Sequence, residues 1–151
     1  MTRLNHEIFI NVPPEKVWKT LANLEAVAKY NPGVAHAKYI TAQKEGVGAT
    51  RQCELKNKSV LKERVIGWNP IQSMTMELSE SDWPVQDMQW TTDLTSKNGG
   101  TFITQKLQYR PKGVMGTILN FLIMKRMMNK SLNEIFESMK KYIEAGQSMN
   151  C

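Results

Sequence analysis

The sequence predicts an α+β fold in which a seven-stranded antiparallel sheet curls around a long C-terminal helix, with two short helices after the first strand. Three observations carry this prediction. Residues 34–110 alternate between apolar and polar with a period of two, in six runs cut by turn signals. Residues 113–145 switch to a helical period. At about 100° per residue, Val114, Ile118, Phe121, Leu122, Met128, Leu132, Ile135, Phe136, Met139 and Ile143 fall on one stripe. The links between strands are short, which requires antiparallel neighbours. A sheet with one apolar face needs a cover, and at about 1.5 Å per residue only the last helix is long enough.

In chain order, residues 4–12 place Leu4, Ile8, Ile10 and Val12 on one side of a half-buried strand. Pro13-Pro14-Glu15 stops that strand and starts a helix, since proline loses no hydrogen bond in a first turn; Val17, Trp18 and Leu21 form its apolar side. A second short helix spans 24–30 and ends at Asn31-Pro32-Gly33. Strands follow at 34–42, 48–55, 60–67, 71–79, 85–95 and 101–109. Turn signals separate them at Glu45-Gly46, Asn57-Lys58, Asn69-Pro70, Asp82-Trp83-Pro84 and Asn98-Gly99-Gly100.

At 151 residues and 41% hydrophobic, the chain reads as one domain with a core over 3–145 and an unstructured tail from 146. A net charge of +6 permits an anionic partner. Lys and Arg are dispersed and the aromatics read as core, so no nucleic acid is expected. The N-terminus has no charged start followed by an apolar core, hence no signal peptide is expected. Cys53 and Cys151 are too few for a disulfide scaffold or a zinc site, and a cytoplasmic location follows. The longest apolar run, 114–124, is about half of the ~20 residues that cross a bilayer.

Several pieces, in this order and spacing, resemble the START-like (SRPBCC) superfamily, and within it the polyketide cyclase/dehydrase and lipid-transport group. They are Ile10-Asn11-Val12-Pro13-Pro14-Glu15-Lys16-Val17-Trp18, then Asn31-Pro32-Gly33, Gly46-Val47-Gly48-Ala49-Thr50-Arg51, Leu61-Lys62-Glu63-Arg64-Val65 and Asn98-Gly99-Gly100-Thr101. The resemblance spans about 3–145 and implies the Bet v 1/START-like helix-grip fold. It further implies a hydrophobic cavity between sheet and helix and no universal catalytic set.

The residues themselves offer little chemistry. There is no phosphate-binding glycine loop, HExxH, GxSxG or CxxC, and His6 and His36 are the only histidines, so no metal or cofactor is expected. His6 shares a face with Leu4 and Ile8 and reads as a rim residue; the facing of His36 is open. Alternation puts Arg51 with Ala49, Cys53 and Leu55, Glu63 with Leu61 and Val65, and Gln105 with Ile103, Leu107 and Tyr109. A buried carboxylate and guanidinium should pair. An odd loop at 56–59 brings Arg51 and Glu63 to one face and an even one separates them; one face is favoured. The pair is then either a solvated surface bridge or a polar anchor within the cavity.

Met74 and Met76 line one face of their strand, Met88 and Trp90 one face of the next, and Phe121, Met128 and Leu132 lie on the helix stripe. Methionine adapts to irregular space, so with Arg51, Glu63, Gln105 and Tyr109 these residues form the expected ligand-binding set. The expected function is binding, extending to transport, of a hydrophobic small molecule or lipid. The alternative is a polyketide cyclase or dehydratase in the same cavity, with Glu63 as general base and no other catalytic residue assigned.

The helix stripe fails in its first half, where Leu119, Ile123 and Met127 point away from it while Lys125 and Asn129 lie near it. Three explanations compete: a bend at Gly116 or Asn120, a homodimer, or peripheral membrane contact through 114–128, with Lys112, Lys125, Arg126 and Lys130 meeting anionic headgroups.

Overall fold

The computed structural model describes residues 1–119 and 123–149. The elements are β1 (Thr2–Ile10), α1 (Pro14–Ala22), a 3-10 turn (Leu24–Ala26), α2 (Val27–Tyr30), β2 (Val34–Tyr39), β3 (Thr50–Leu55), β4 (Val60–Asn69), β5 (Ser73–Glu80), β6 (Val85–Lys97), β7 (Gly100–Pro111), α3 (Gly113–Leu119) and α4 (Lys125–Met149). One antiparallel sheet holds all seven strands in the order β1-β7-β6-β5-β4-β3-β2. Six strands meander, and β1 joins the far side of β7, with Leu4 opposite Leu107 and Ile8 opposite Ile103. The predicted fold class holds.

Local chemistry explains where the elements begin and stop. Pro14 occupies the first turn of α1, and Val17 and Trp18 turn inward, with Trp18 edge-on to Trp68 of β4 at 5.1 Å. β1 lies two residues earlier than expected, because the Val12 N–H turns back to the Ile10 carbonyl (2.8 Å) and leaves the ladder. β2 stops at Tyr39, since Gln43 holds the following loop through the Glu45 and Val47 carbonyls. β5 starts at Ser73: Ile71, with φ of 70°, sits in the turn after Pro70. Between β6 and β7, Gly100 passes against β1 so closely that a Cβ there would lie 2.6 Å from the Ile10 carbonyl oxygen.

The C-terminal region departs most from expectation. The helix expected over 113–145 is described as α3 and α4, with Ile123 and Met124 in a widened π-type turn that leads into α4, and residues 120–122 lie outside the described residues. α4 keeps the stripe: Leu132, Phe136, Met139 and Ile143 are buried. Val114 and Ile118, assigned to the same stripe, are instead 77% and 50% exposed. In α3 the Thr117 hydroxyl donates back to the Gly113 carbonyl (3.0 Å), a contact that loosens a helix, and Gly116 adds its low propensity. Phe121 and Leu122 lie outside the described residues. α4 is described as far as Met149.

Two apolar clusters form the core around the inner face of the sheet and α4. The larger contains Ile10, Val17, Leu24, Val65, Ile103 and Phe136; the smaller contains Leu4, Met88, Leu107, Tyr109 and Leu132. No described helix is long and apolar enough to cross a membrane.

Candidate functional site

Strand register lays out the inner face of the sheet row by row. Arg51 stands opposite Glu63, Val65 opposite Met76, Met76 opposite Trp90 and Trp90 opposite Leu107. A second row runs from Met74 through Thr92 and Gln105 to His6. α4 lies across these rows without filling the space between. The result is a cavity of about 730 Å³. Its walls are mainly apolar side chains of the sheet and of α4, including Phe136 and Met139, and the turns at Gly33, Lys56-Asn57 and Trp83-Pro84 border it.

Of the residues expected at a site, Arg51, Glu63, Met74, Met76, Met88, Trp90, Gln105, Met128 and Leu132 line this cavity. Tyr109 does not: it is fully buried in the smaller apolar cluster, where burial pushes its phenol above the ordinary value. Phe121 falls outside the described residues. His36 is exposed on the outside of β2. His6 is half-buried, with Nδ1 3.1 Å from the Asn133 side-chain oxygen, Nε2 3.1 Å from that of Asn129, and Phe136 edge-on. The placement of Asn129 near the apolar stripe thus has a structural reason. The Thr92 hydroxyl reaches Gln105 Oε1 at 3.4 Å, so Gln105 already has a partner in the wall.

The polar centre of the cavity is the ion pair. The hairpin between β3 and β4 puts Arg51 and Glu63 on one face, and Arg51 Nε donates to Glu63 Oε1 at 2.8 Å. Their side chains are 7% and 13% exposed, which excludes a solvated surface bridge. Arg51 also donates to the Leu24 carbonyl at 3.2 Å and bonds the Tyr30 side chain, tying the sheet to the short helices. The Cys53 thiol donates to the same Glu63 oxygen at 3.4 Å.

Electrostatics follow from this crowding. Burial is the largest single influence on Arg51 and lowers its value, but the facing Glu63 charge, Tyr30, Cys53 and the hydrogen bond to Glu63 together outweigh it, so the guanidinium is held above its ordinary value. Burial pushes the Tyr30 phenol up, against the opposing pull of Arg51. Burial and then the Glu63 charge push the Cys53 thiol up to about 12. Cys53 is therefore a neutral, inert thiol at physiological pH. In the folded protein its alkylation by iodoacetamide at about pH 8 should run more than about a hundredfold slower than in urea, followed by mass spectrometry of the Cys53 peptide. Equal rates would show that the pair stands in water.

Sequence reasoning missed Tyr30, Thr92, Trp83, Phe136 and Cys53 as site residues. For Thr92, Cys53 and Phe136 a signal existed, in strand alternation or in the helix stripe. Tyr30 and Trp83 reach the site from a four-residue helix and a turn, where no period marks a side chain's direction.

A curled seven-stranded sheet with one long helix across its inner face and an apolar cavity between them defines a helix-grip protein of the Bet v 1 and START-like class. The chain belongs to the polyketide cyclase/dehydrase and lipid transport family, whose pattern it matches over residues 1–144. Solved structures agree on the fold. TTHA0849 from Thermus thermophilus superposes with a TM-score of 0.79 at 17% identity, covering 96% of this chain and 99% of that one. XoxI from Bacillus cereus gives 0.76 at 14% identity over 95% and 96%, and Ara h 8.0201 gives 0.75 at 18% over 95% and 98%. No curated protein sequence matches the chain significantly.

Proposed function

We propose that the protein binds a hydrophobic small molecule or lipid in the cavity between the sheet and α4, and carries it. The observation behind this reading is a largely apolar space of about 730 Å³ with a buried ion pair, Arg51–Glu63, in its wall. Hydrocarbon burial, at roughly 25 cal/mol per Å², supplies most of the affinity. The polar cluster orients the head group. Glu63 Oε1 is engaged by Arg51 and Cys53, so a ligand hydroxyl is best placed to use the second carboxylate oxygen. The free thiol of Cys53 fits a cytoplasmic setting, which remains part of the proposal.

The same cavity could host cyclase or dehydratase chemistry with Glu63 as base. The engaged Glu63 oxygen and the tethering of His6 to two asparagines favour a binding role. Native mass spectrometry of protein purified without detergent tests the choice: a co-purified lipid supports binding, whereas an empty cavity with turnover of a polyketide-like substrate reverses the assignment. Glu63→Gln keeps an acceptor for Arg51, so the chain should fold. Its affinity for a hydroxyl-headed ligand should fall about tenfold or more, through loss of a charge-assisted hydrogen bond. Unchanged affinity in a titration would remove Glu63 from the site.

A further inference from the structure

α3 leaves Val114, Met115 and Ile118 in water. Val114 and Met115 are 77% and 78% exposed and Ile118 is half exposed. Among the described residues, α3 makes no extended contact with any other element. In the first turns of α4 and just before them, Met127 and Ile123 are exposed as well, although both also border the cavity. Large apolar side chains grouped on a surface mark a contact site rather than chance exposure.

The position and charge of this group indicate its partner. The Lys112 N–H donates to the Pro84 carbonyl at 3.0 Å, and Pro84 borders the cavity, so α3 starts at the cavity rim. Ile123 and Met127 line that rim beyond the other end of α3. Lys112, Lys125, Arg126 and Lys130 are all exposed, and the sequence has no acidic residue between Asp93 and Glu134. A second copy placed symmetrically on this surface would bring like charges together. An anionic bilayer accommodates both features, with apolar side chains at the acyl boundary and cations among the headgroups.

We propose that α3 and the start of α4 dock the protein, cavity rim first, onto an anionic lipid surface. Docking does not require a particular cavity occupant. Its use, passing an apolar ligand between bilayer and cavity without crossing water, rests on the ligand-binding reading above.

Flotation with phosphatidylcholine vesicles containing roughly one-third phosphatidylserine, against pure phosphatidylcholine vesicles, tests this. Wild-type protein should float with the anionic vesicles alone, and raising the salt to about 0.5 M should weaken binding about tenfold or more. Met115→Glu with Ile118→Glu, and separately Lys125→Glu with Arg126→Glu, should each lose about tenfold in binding; these side chains are exposed, so circular dichroism should be unchanged. Wild-type protein that stays unbound at low salt overturns the proposal, as do variants that float like wild type. A wild-type dimer that the Met115→Glu, Ile118→Glu variant converts to monomer also overturns it, in favour of a second copy. Uptake of a fluorescent lipid in vesicle-free solution, measured on the same proteins, keeps the two readings separate. Its loss with docking intact removes the ligand-binding reading alone, and its retention with docking lost is the signature of a dedicated docking surface.

Discussion

Arg51→Met is expected to destabilise the fold by about 3–5 kcal/mol, seen as a lower urea midpoint with the slope unchanged. The substitution strips the Glu63 carboxylate of the partner that holds it at 2.8 Å, and leaves the Leu24 carbonyl without its donor. With Glu63 only 13% exposed, water cannot replace what is lost. Against a typical total of about 5–15 kcal/mol, this is a large fraction of the stability. Adding Glu63→Leu should restore most of the loss, because an apolar pair of similar volume needs no counter-ion.

The second large effect is expected on binding. Met128 is half-buried on α4 and lines the cavity, so Met128→Trp directs an indole into space that a ligand would fill. If the ring displaces about 100 Å² of ligand contact, affinity falls by about 2.5 kcal/mol, close to seventyfold. Folding should survive, since the ring enters empty volume rather than a packed core. Titration with a fluorescent fatty ligand, alongside a thermal melt, measures both quantities. Wild-type affinity in a folded Met128→Trp protein would place the ligand elsewhere.

Much of this architecture is readable from periodicity. The change from a period of two to a helical one locates sheet and cover, and alternation groups Glu63, Met76, Trp90 and Gln105 with apolar neighbours on their strands; these four side chains border the cavity. What alternation cannot supply is the number of residues a hairpin leaves unpaired. The Arg51–Glu63 pair forms because the ladder between β3 and β4 ends at Glu54 and Val60, leaving an odd loop, and ladder ends are set by tertiary packing. Tyr30 was illegible for a related reason: its direction comes from how a four-residue helix seats against β2 and α4, not from any pattern of its own. The first half of the C-terminal region defeats the stripe argument on physical grounds, because a period specifies which side can be buried but not that a surface exists to bury it.

The pairing of β1 with β7 also has a consequence for how the chain reaches its fold. Thr2 lies opposite Tyr109 and Ile10 opposite Thr101, so β1 has a partner about a hundred residues downstream. At about 5–20 residues per second, a ribosome exposes β1 for roughly 5–20 seconds before β7 follows it. During that interval Leu4, Ile8 and Ile10 have no apolar surface across from them and one sheet edge is missing. The hairpins from β3 to β7 close over short separations and can form early, while β1 and α4, linked through His6 to Asn129 and Asn133, are the late pieces. Assembly of the cavity thus waits on the joining of β1 and α4, two elements far apart in the sequence.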